Sequence, residues 1–370
     1  MQFQTQPNTQ ARAAVDLMCR RLSLPGVDGT SYRTSGASIL PEKLTLRDLA
    51  RVCVEQAPAT ERANWSDRSD VVTRAMTTSD FSAILSDVSN KQLATLYASR
   101  LPTFTRWASP GSLPNFKPLE VCRVSAPGIL PELRESDEYK LLTLEDGAET
   151  VQLKTFGGIL PISRQAIIND DLDALSDRNR LLAQSAGLTQ ASIAASVLSG
   201  NSTLSDGKAL FHVDRGNLFT GLTSVLSADS LAEAVAAMRR FADTNGQPLA
   251  IEPKFLIVGP GNERLAYQLA YSDADPTSNN AGATNFFKKS VGLEVLVDPL
   301  IESSSLTAWY LLPDPAVVPV VRYFTLDGDN LAPYIEGKVG FNTDNLELKT
   351  RIDFMAAAVG YFAIKATGQA

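Results

Sequence analysis

The sequence predicts an α+β protein, and three observations predict it. Residues from about Asp171 to Leu198 hold one long helical pattern, with Leu172, Leu175, Leu182, Ala186, Ile193 and Val197 near helical spacing. Residues 119–160 alternate apolar and polar side chains around the turn signal Glu145-Asp146-Gly147, and so read as a hairpin. Residues 291–323 break into short apolar runs between Pro299, Pro313, Pro315 and Pro319, as strands of a mixed sheet do.

The first 76 residues carry ten Lys and Arg against eight Asp and Glu, unlike the acidic remainder. Two short amphipathic patterns stand there, one through Ala14, Val15, Met18 and Leu22, the other through Leu46, Leu49, Ala50 and Val54. Gly26, Gly29, Gly36 and Pro41 break the segment, so it reads as a linker or scaffold-like extension that docks on something else. Thr77 to Pro102 reads as a helix opened by Ser79-Asp80-Phe81. Pro110, Pro114 and Pro118 then punctuate residues 103–118, which fit an extended arm lying across a surface.

The hairpin is unusually charged. It holds Glu132, Arg134, Glu135, Asp137, Glu138 and Lys140 within nine positions. A two-stranded ribbon with so little apolar face is marginal alone and needs a neighbour to lie on. The long helix would span about 40 Å at 1.5 Å per residue. Asn169, Asp170, Asp171 and Asp173 crowd its start, where acids suit the helix dipole, and Gly200-Asn201 ends it. Ser230 and Glu233 have capping-box spacing before a stripe of Leu231, Val235, Met238 and Ala242, with Gly246 as the stop. Phe255 to Val258 reads as a buried strand and Asn262 to Tyr271 as a helix. Leu346 to Phe354 and Ala356 to Ile364 read as two closing strands.

Composition excludes several classes. At 370 residues, 44% apolar and 20% charged, the chain is globular, and its net charge of −7 argues against tight wrapping of nucleic acid. No run approaches the ~18 apolar residues of a membrane span, and Met1 to Gln6 is polar where a secretory signal would be apolar. Cys19, Cys53 and Cys122 are too few and too scattered for a disulfide framework or a zinc ribbon. His212 is the single histidine, so a two-His metal site is impossible and any Ser-His-Asp enzyme must be built on it.

Four motifs invite chemistry, and each has a plainer account. Gly259-Pro260-Gly261 follows a strand and precedes a helix, but Arg264 stands where a third glycine is needed and Pro260 removes an amide. A strand-to-helix turn suffices. Gly207-Lys208 lacks P-loop spacing, and Ala209 replaces the Ser or Thr. His212, with Asp214 two residues on, would share one face of a strand with it, but no nucleophile motif accompanies them. Asp170 and Asp171, adjacent on a helix, point apart and serve better as caps than as an acid–base pair. No cofactor is expected.

Several strings together resemble one family: Thr77-Thr78-Ser79-Asp80-Phe81, then Ile162-Ser163-Arg164-Gln165-Ala166-Ile167-Ile168-Asn169-Asp170-Asp171-Leu172, then Asp206-Gly207-Lys208-Ala209-Leu210-Phe211 with Gly216-Asn217-Leu218, then Gly246-Gln247-Pro248-Leu249 and Pro253-Lys254-Phe255-Leu256-Ile257-Val258-Gly259-Pro260. They resemble the major capsid proteins of tailed bacteriophages, in the group often fused to a Clp-type prohead protease. The resemblance runs from about Thr77 to Gly368. It departs at Arg215, where many relatives have histidine, and nothing here resembles the protease.

That resemblance implies a Hong Kong 97-type capsid fold with N-arm, E-loop hairpin, long spine helix, and peripheral and axial domains. Residues 1–76 would be the extension, 77–125 the N-arm and first peripheral elements, and 126–160 the E-loop. Residues 161–219 would hold the spine helix and peripheral domain, 220–334 the axial domain, and 335–370 the returning peripheral strands. The implied function is a structural one: a non-enzymatic major capsid protein forming hexamers and pentamers of an icosahedral head around double-stranded DNA. Its partners would be copies of itself, with portal, scaffold, protease and decoration proteins as further candidates. DNA would be touched non-specifically and no membrane would be involved. The place would be the virion, assembled in the host cytoplasm. Glu132, Arg134, Glu135, Asp137, Glu138 and Lys140 are the expected subunit-interface residues. Some capsids of this fold cross-link a Lys to an Asn. Lys140 and Lys154 lie in the hairpin region, without an identified acceptor. An encapsulin-like nanocompartment shares the architecture, and a hydrolase or nucleotide-binding enzyme on residues 200–270 is the rival from another class.

Overall fold

The computed structural model describes residues 79–99, 101–122, 147–163, 165, 172–242, 248–274, 284–302, 305–327, 331–339 and 345–368. The N-terminal extension, Asp170, Asp171 and Gly246 lie outside them. In chain order the elements are α1 (Ser79–Ser99), α2 (Phe104–Trp107), β1 (Ser109–Leu113), β2 (Leu119–Cys122), β3 (Ala148–Val151), β4 (Lys154–Ser163) and α3 (Leu172–Ser199). There follow β5 (Leu218–Phe219), α4 (Ala228–Arg239), β6 (Pro253–Val258), α5 (Glu263–Tyr271), β7 (Glu294–Val297), α6 (Pro299–Glu302) and β8 (Trp309–Pro313). The last are β9 (Val321–Leu326), β10 (Tyr334–Val339), β11 (Asn345–Ala358) and β12 (Ile364–Ala366). The α+β class holds.

The chain divides into two compact units. The first gathers Met1–Leu101, Thr155–Leu188 and Asn330–Asp353. In it β10 and β11 run antiparallel, from Tyr334↔Arg351 to Val339↔Leu346, and β4 also pairs with β11. Asn90 of α1 acts as a strand partner for β10. Its Nδ2 donates to the Ile335 carbonyl at 3.0 Å, and the Ile335 amide donates to its Oδ1 at 2.7 Å. One side chain thus satisfies both backbone groups of a buried residue. A Cβ on Gly157 would lie 2.5 Å from the Thr350 carbonyl oxygen, so only glycine lets β4 approach β11 there.

The second unit gathers Pro102–Lys154, Thr189–Asp329 and Phe354–Ala370. Its main sheet has the order β5-β12-β8-β6-β7. Leu231, Val235 and Met238 of α4 and Ala266, Leu269 and Ala270 of α5 share one core with Leu256, Trp309, Leu311 and Ile364 of the sheet. A second ladder runs β1-β9 parallel and β9 against Phe354–Ala358 antiparallel.

Several expectations are corrected. Residues 103–118 do not simply lie across a surface: Phe104 and Trp107 are buried, and Phe104 meets Tyr323 and Phe354 edge-on at 5.2 and 5.5 Å. Of the prolines that follow these aromatics, Pro110 lies within β1 and Pro114 and Pro118 come after it. The capping box of α4 is Ser227 with Ser230, not Ser230 with Glu233, because Ser227 has the extended backbone (φ −152°, ψ 170°) that a cap requires. That helix ends at Arg239, before Gly246. The two closing strands are one 14-residue strand, β11, plus the short β12. Of the expected stripe of α3, Ala186 and Val197 are buried, Leu182 and Ile193 are half-buried, and the side chains of Leu172 and Leu175 lie outside the described residues; Asn179, Ala183, Gln190, Ala194, Ala195 and Leu198 are buried as well. Small side chains predominate on this packed face among the described residues, with Leu198 fully buried at its end.

Candidate assembly surface

Glu132, Arg134, Glu135, Asp137, Glu138 and Lys140 all lie outside the described residues. What the structure does describe is the root of that stretch. Strands β2 and β3 pair antiparallel from Leu119↔Val151 to Cys122↔Ala148, so the chain leaves and returns across one rung. The strand that pairs with β3 is therefore 119–122. Val151 and Leu153 are buried with Leu113 and Phe324. The Gln152 Nε2 donates to the Phe116 carbonyl at 3.0 Å. Glu149, buried on the same face of β3 as Val151, accepts from the Ser205 amide and hydroxyl.

Two uncharged strips stand bare. No Asp, Glu, Lys or Arg occurs between Leu181 and Ser199, yet α3 leaves Leu181 64% and Leu188 60% exposed, with Gln184, Ser185, Ser192 and Ser196 beside them. In β4 only Ile162 is buried, and Ile159 is 63% exposed. The stripe expected from the sequence includes neither Leu181 nor Leu188, and Ile159 is not singled out there; the charge-free run from Leu181 to Ser199 is the signal the sequence offers. Asp177–Ser199 is long and apolar enough to cross a membrane by composition. Asn179 and Gln190 on its buried stripe, with Asn179 donating to the buried Gln92 at 2.9 Å, suit a helix packed in protein instead.

The loop after α3 collects two of the family-like strings into one polar knot. Asn201 takes the left-handed conformation (φ 47°) that ends the helix, and its amide pairs with both backbone groups of Phe211. Arg215, whose side chain is 6% exposed, donates Nη2 to both Asp206 oxygens at 2.7 Å and Nε to the Ala209 carbonyl at 3.0 Å, and lies 4.6 Å from the Tyr361 ring centre. Asn217, fully buried, accepts from the His212 amide and donates to the Leu210 and Tyr361 carbonyls. Arginine at 215 is thus a structural tie.

The motifs that invited chemistry have structural partners. His212 does not lie on a strand. It caps a 3-10 turn, Val213–Arg215, its Nδ1 accepting from the Asp214 amide at 3.2 Å. The Asp214 carboxyl is held below its usual range by the hydrogen bond and charge of Lys208, then by His212. At Gly259-Pro260-Gly261 the chain supplies its own anion: Glu302 Oε1 accepts from the Gly261 amide at 3.1 Å, and a Cβ on Gly259 would meet the Glu302 Cβ at 2.8 Å. Among the described residues no three His, Cys, Asp or Glu gather as a metal requires.

Leu181, Leu188 and Ile159 are thus exposed apolar residues on uncharged stretches of a helix and a strand. A profile of the phage capsid protein family matches residues 147–366, from the root of β3 to the end of β12, and the chain belongs to that family. Among solved structures, it is similar to the capsid of Ralstonia phage GP4, with 9% identity over 74% of this chain and 91% of that one, at a TM-score of 0.49. It is also similar to the procapsid of bacteriophage JBD30 (14% identity, 78% and 76% covered, TM-score 0.43). A third is the holo-SrpI encapsulin complex from Synechococcus elongatus PCC 7942 (12%, 71% and 85%, 0.41). At these scores the likenesses add no weight. No curated protein matches the chain.

Proposed function

We propose that this phage capsid protein is the major head subunit, forming hexamers and pentamers of a Hong Kong 97-type icosahedral shell around double-stranded DNA. Family membership supplies the class. The observation that carries the rest is the bare, charge-free side of α3, which a neighbouring subunit would cover. The stretch rooted at β2–β3 is the E-loop that reaches that neighbour. Glu132, Arg134, Glu135, Asp137, Glu138 and Lys140 set register there through complementary charge. Such contacts are heterologous and close into rings. The sheet β5-β12-β8-β6-β7 with α4 and α5 is the axial domain, which adds β5 and β12 to the expected 220–334 and leaves out β9. The protein works without catalysis, and assembles in the host cytoplasm with portal, scaffold, protease or decoration partners.

The test is assembly of the purified full chain, followed by size exclusion and negative-stain microscopy. Capsomers or shells are expected. A stable monomer of 39.8 kDa at every concentration and salt would overturn the reading. Replacing residues 125–145 by a short glycine linker keeps the β2–β3 ladder and should leave a folded chain that no longer assembles. Shells that retain protein cargo rather than DNA would move the reading to a nanocompartment.

A further inference from the structure

We propose that Glu149 is a positioning residue for assembly, a latch that sets the bearing of the β2–β3 ladder against the loop after α3. The inference rests on the assembly reading above.

The ladder has only two strands, and β2 is almost wholly exposed, so pairing alone holds it weakly. Two side chains on one face of β3 hold it from below. Val151 is buried in the apolar cluster with Leu113 and Phe324. Glu149 makes the second attachment. The Ser205 amide donates to its Oε1 and Oε2 at 3.0 and 3.1 Å, and the Ser205 hydroxyl donates to Oε1 at 2.9 Å. A carboxylate acceptor makes these roughly twice as strong as neutral hydrogen bonds. One attachment leaves the ladder free to turn about it; two fix a direction. The loop end is fixed in turn: Asp206, next to Ser205, is held by Arg215, and Arg215 stacks on Tyr361. Loss of Glu149 therefore frees a direction without removing an apolar anchor.

The experiment is amide hydrogen exchange on the unassembled full chain, run beside the assembly assay, for Glu149→Ala, Glu149→Gln, Ser205→Ala and the double Glu149→Ala/Ser205→Ala. In Glu149→Ala, exchange at 119–122, 148–151 and 203–206 should rise about tenfold or more while β6 and β8 stay protected. The assembled fraction should fall several-fold. Ser205→Ala keeps its amide and should do less, and the double should match Glu149→Ala, since the two residues share one interaction. Glu149→Gln keeps an acceptor and should restore part of both readouts. Unchanged ladder exchange in Glu149→Ala would overturn the latch. So would faster exchange throughout β6 and β8, which would make Glu149 a general core residue. Local loosening with full assembly would overturn its positioning role. If wild type forms no capsomers, the assembly reading fails, and the exchange data still decide whether the ladder is latched.

Discussion

Strands β8 and β4 are both apolar in sequence, Trp309-Tyr310-Leu311-Leu312-Pro313 and Phe156-Gly157-Gly158-Ile159-Leu160-Pro161-Ile162. All five residues of β8 are buried, whereas β4 buries Ile162 alone. The difference lies in what surrounds them. β8 runs between β12 and β6 and contributes to a core completed by α4 and α5, while β4 has β11 as its strand partner. Apolar character creates the demand for cover; neighbours decide whether one chain meets it. The same contrast recurs along α3, where Ala194 is buried and Leu188 is bare. It separates positions that this chain covers itself from positions it leaves exposed.

Substitutions at the two kinds of position should therefore part company. The largest effect on folding is expected from Trp309→Ala, which empties a fully buried site and removes the indole donor to the Ser224 carbonyl at 2.9 Å. Urea titration should show a loss of about 3–5 kcal/mol. A loss below about 1 kcal/mol would erase the contrast. Asn217→Ala comes next, because it orphans the His212 amide and the Leu210 and Tyr361 carbonyls in the knot. Its expected cost is about 2–3 kcal/mol. Leu188→Asp and Ile159→Asp, at exposed positions, should change monomer stability by no more than about 0.5 kcal/mol. Both should nonetheless abolish shells in negative-stain fields. Normal shells from both variants would mean these strips face solvent in the particle.

The smallest effect sharpens the core side. Lys365 on β12 has its ammonium 5.6 and 5.9 Å from the Tyr310 and Phe211 ring centres, and burial pushes its pKa below the ordinary 10.5. The unfolded chain keeps the ordinary value, so between the two values the unfolded state binds more proton. Stability should then climb as pH rises through that alkaline window towards 10.5. Lys365→Met should flatten the climb and shift neutral-pH stability by less than about 1 kcal/mol. An unchanged pH profile in thermal melts would contradict the assignment.

Local signals were legible wherever one short stretch decides the outcome. The spans of α3 and α5, the buried strand β6 and the break at Gly200-Asn201 all follow from periodicity and punctuation within a few residues. Choices between near-equal local options were not legible. Ser227 and Ser230 both suit an N-cap, and only the backbone direction entering α4 selects Ser227. On α3 Leu188 is exposed while Ala186 and Leu198 are buried, and periodicity alone does not choose between such positions. Glu132 to Lys140, expected at the interface from composition, lie outside the described residues, whereas the exposure of Ile159 and Leu188 was read from the structure.

The sequence by itself determined the α+β class, the length of the central helix, and, through ordered strings from Thr77 to Gly368, the capsid resemblance that the family match bears out. Those are properties of short stretches and of their order. Tertiary structure alone decided that Arg215 and Asn217 knot the loop after α3, that β12 slots between β5 and β8, and that β4 stays bare. The ties from Arg215 and Asn217 to Tyr361 and the pairing of β5 with β12 join residues more than a hundred positions apart, and the exposure of β4 depends on which described elements pack against it; no local pattern encodes either.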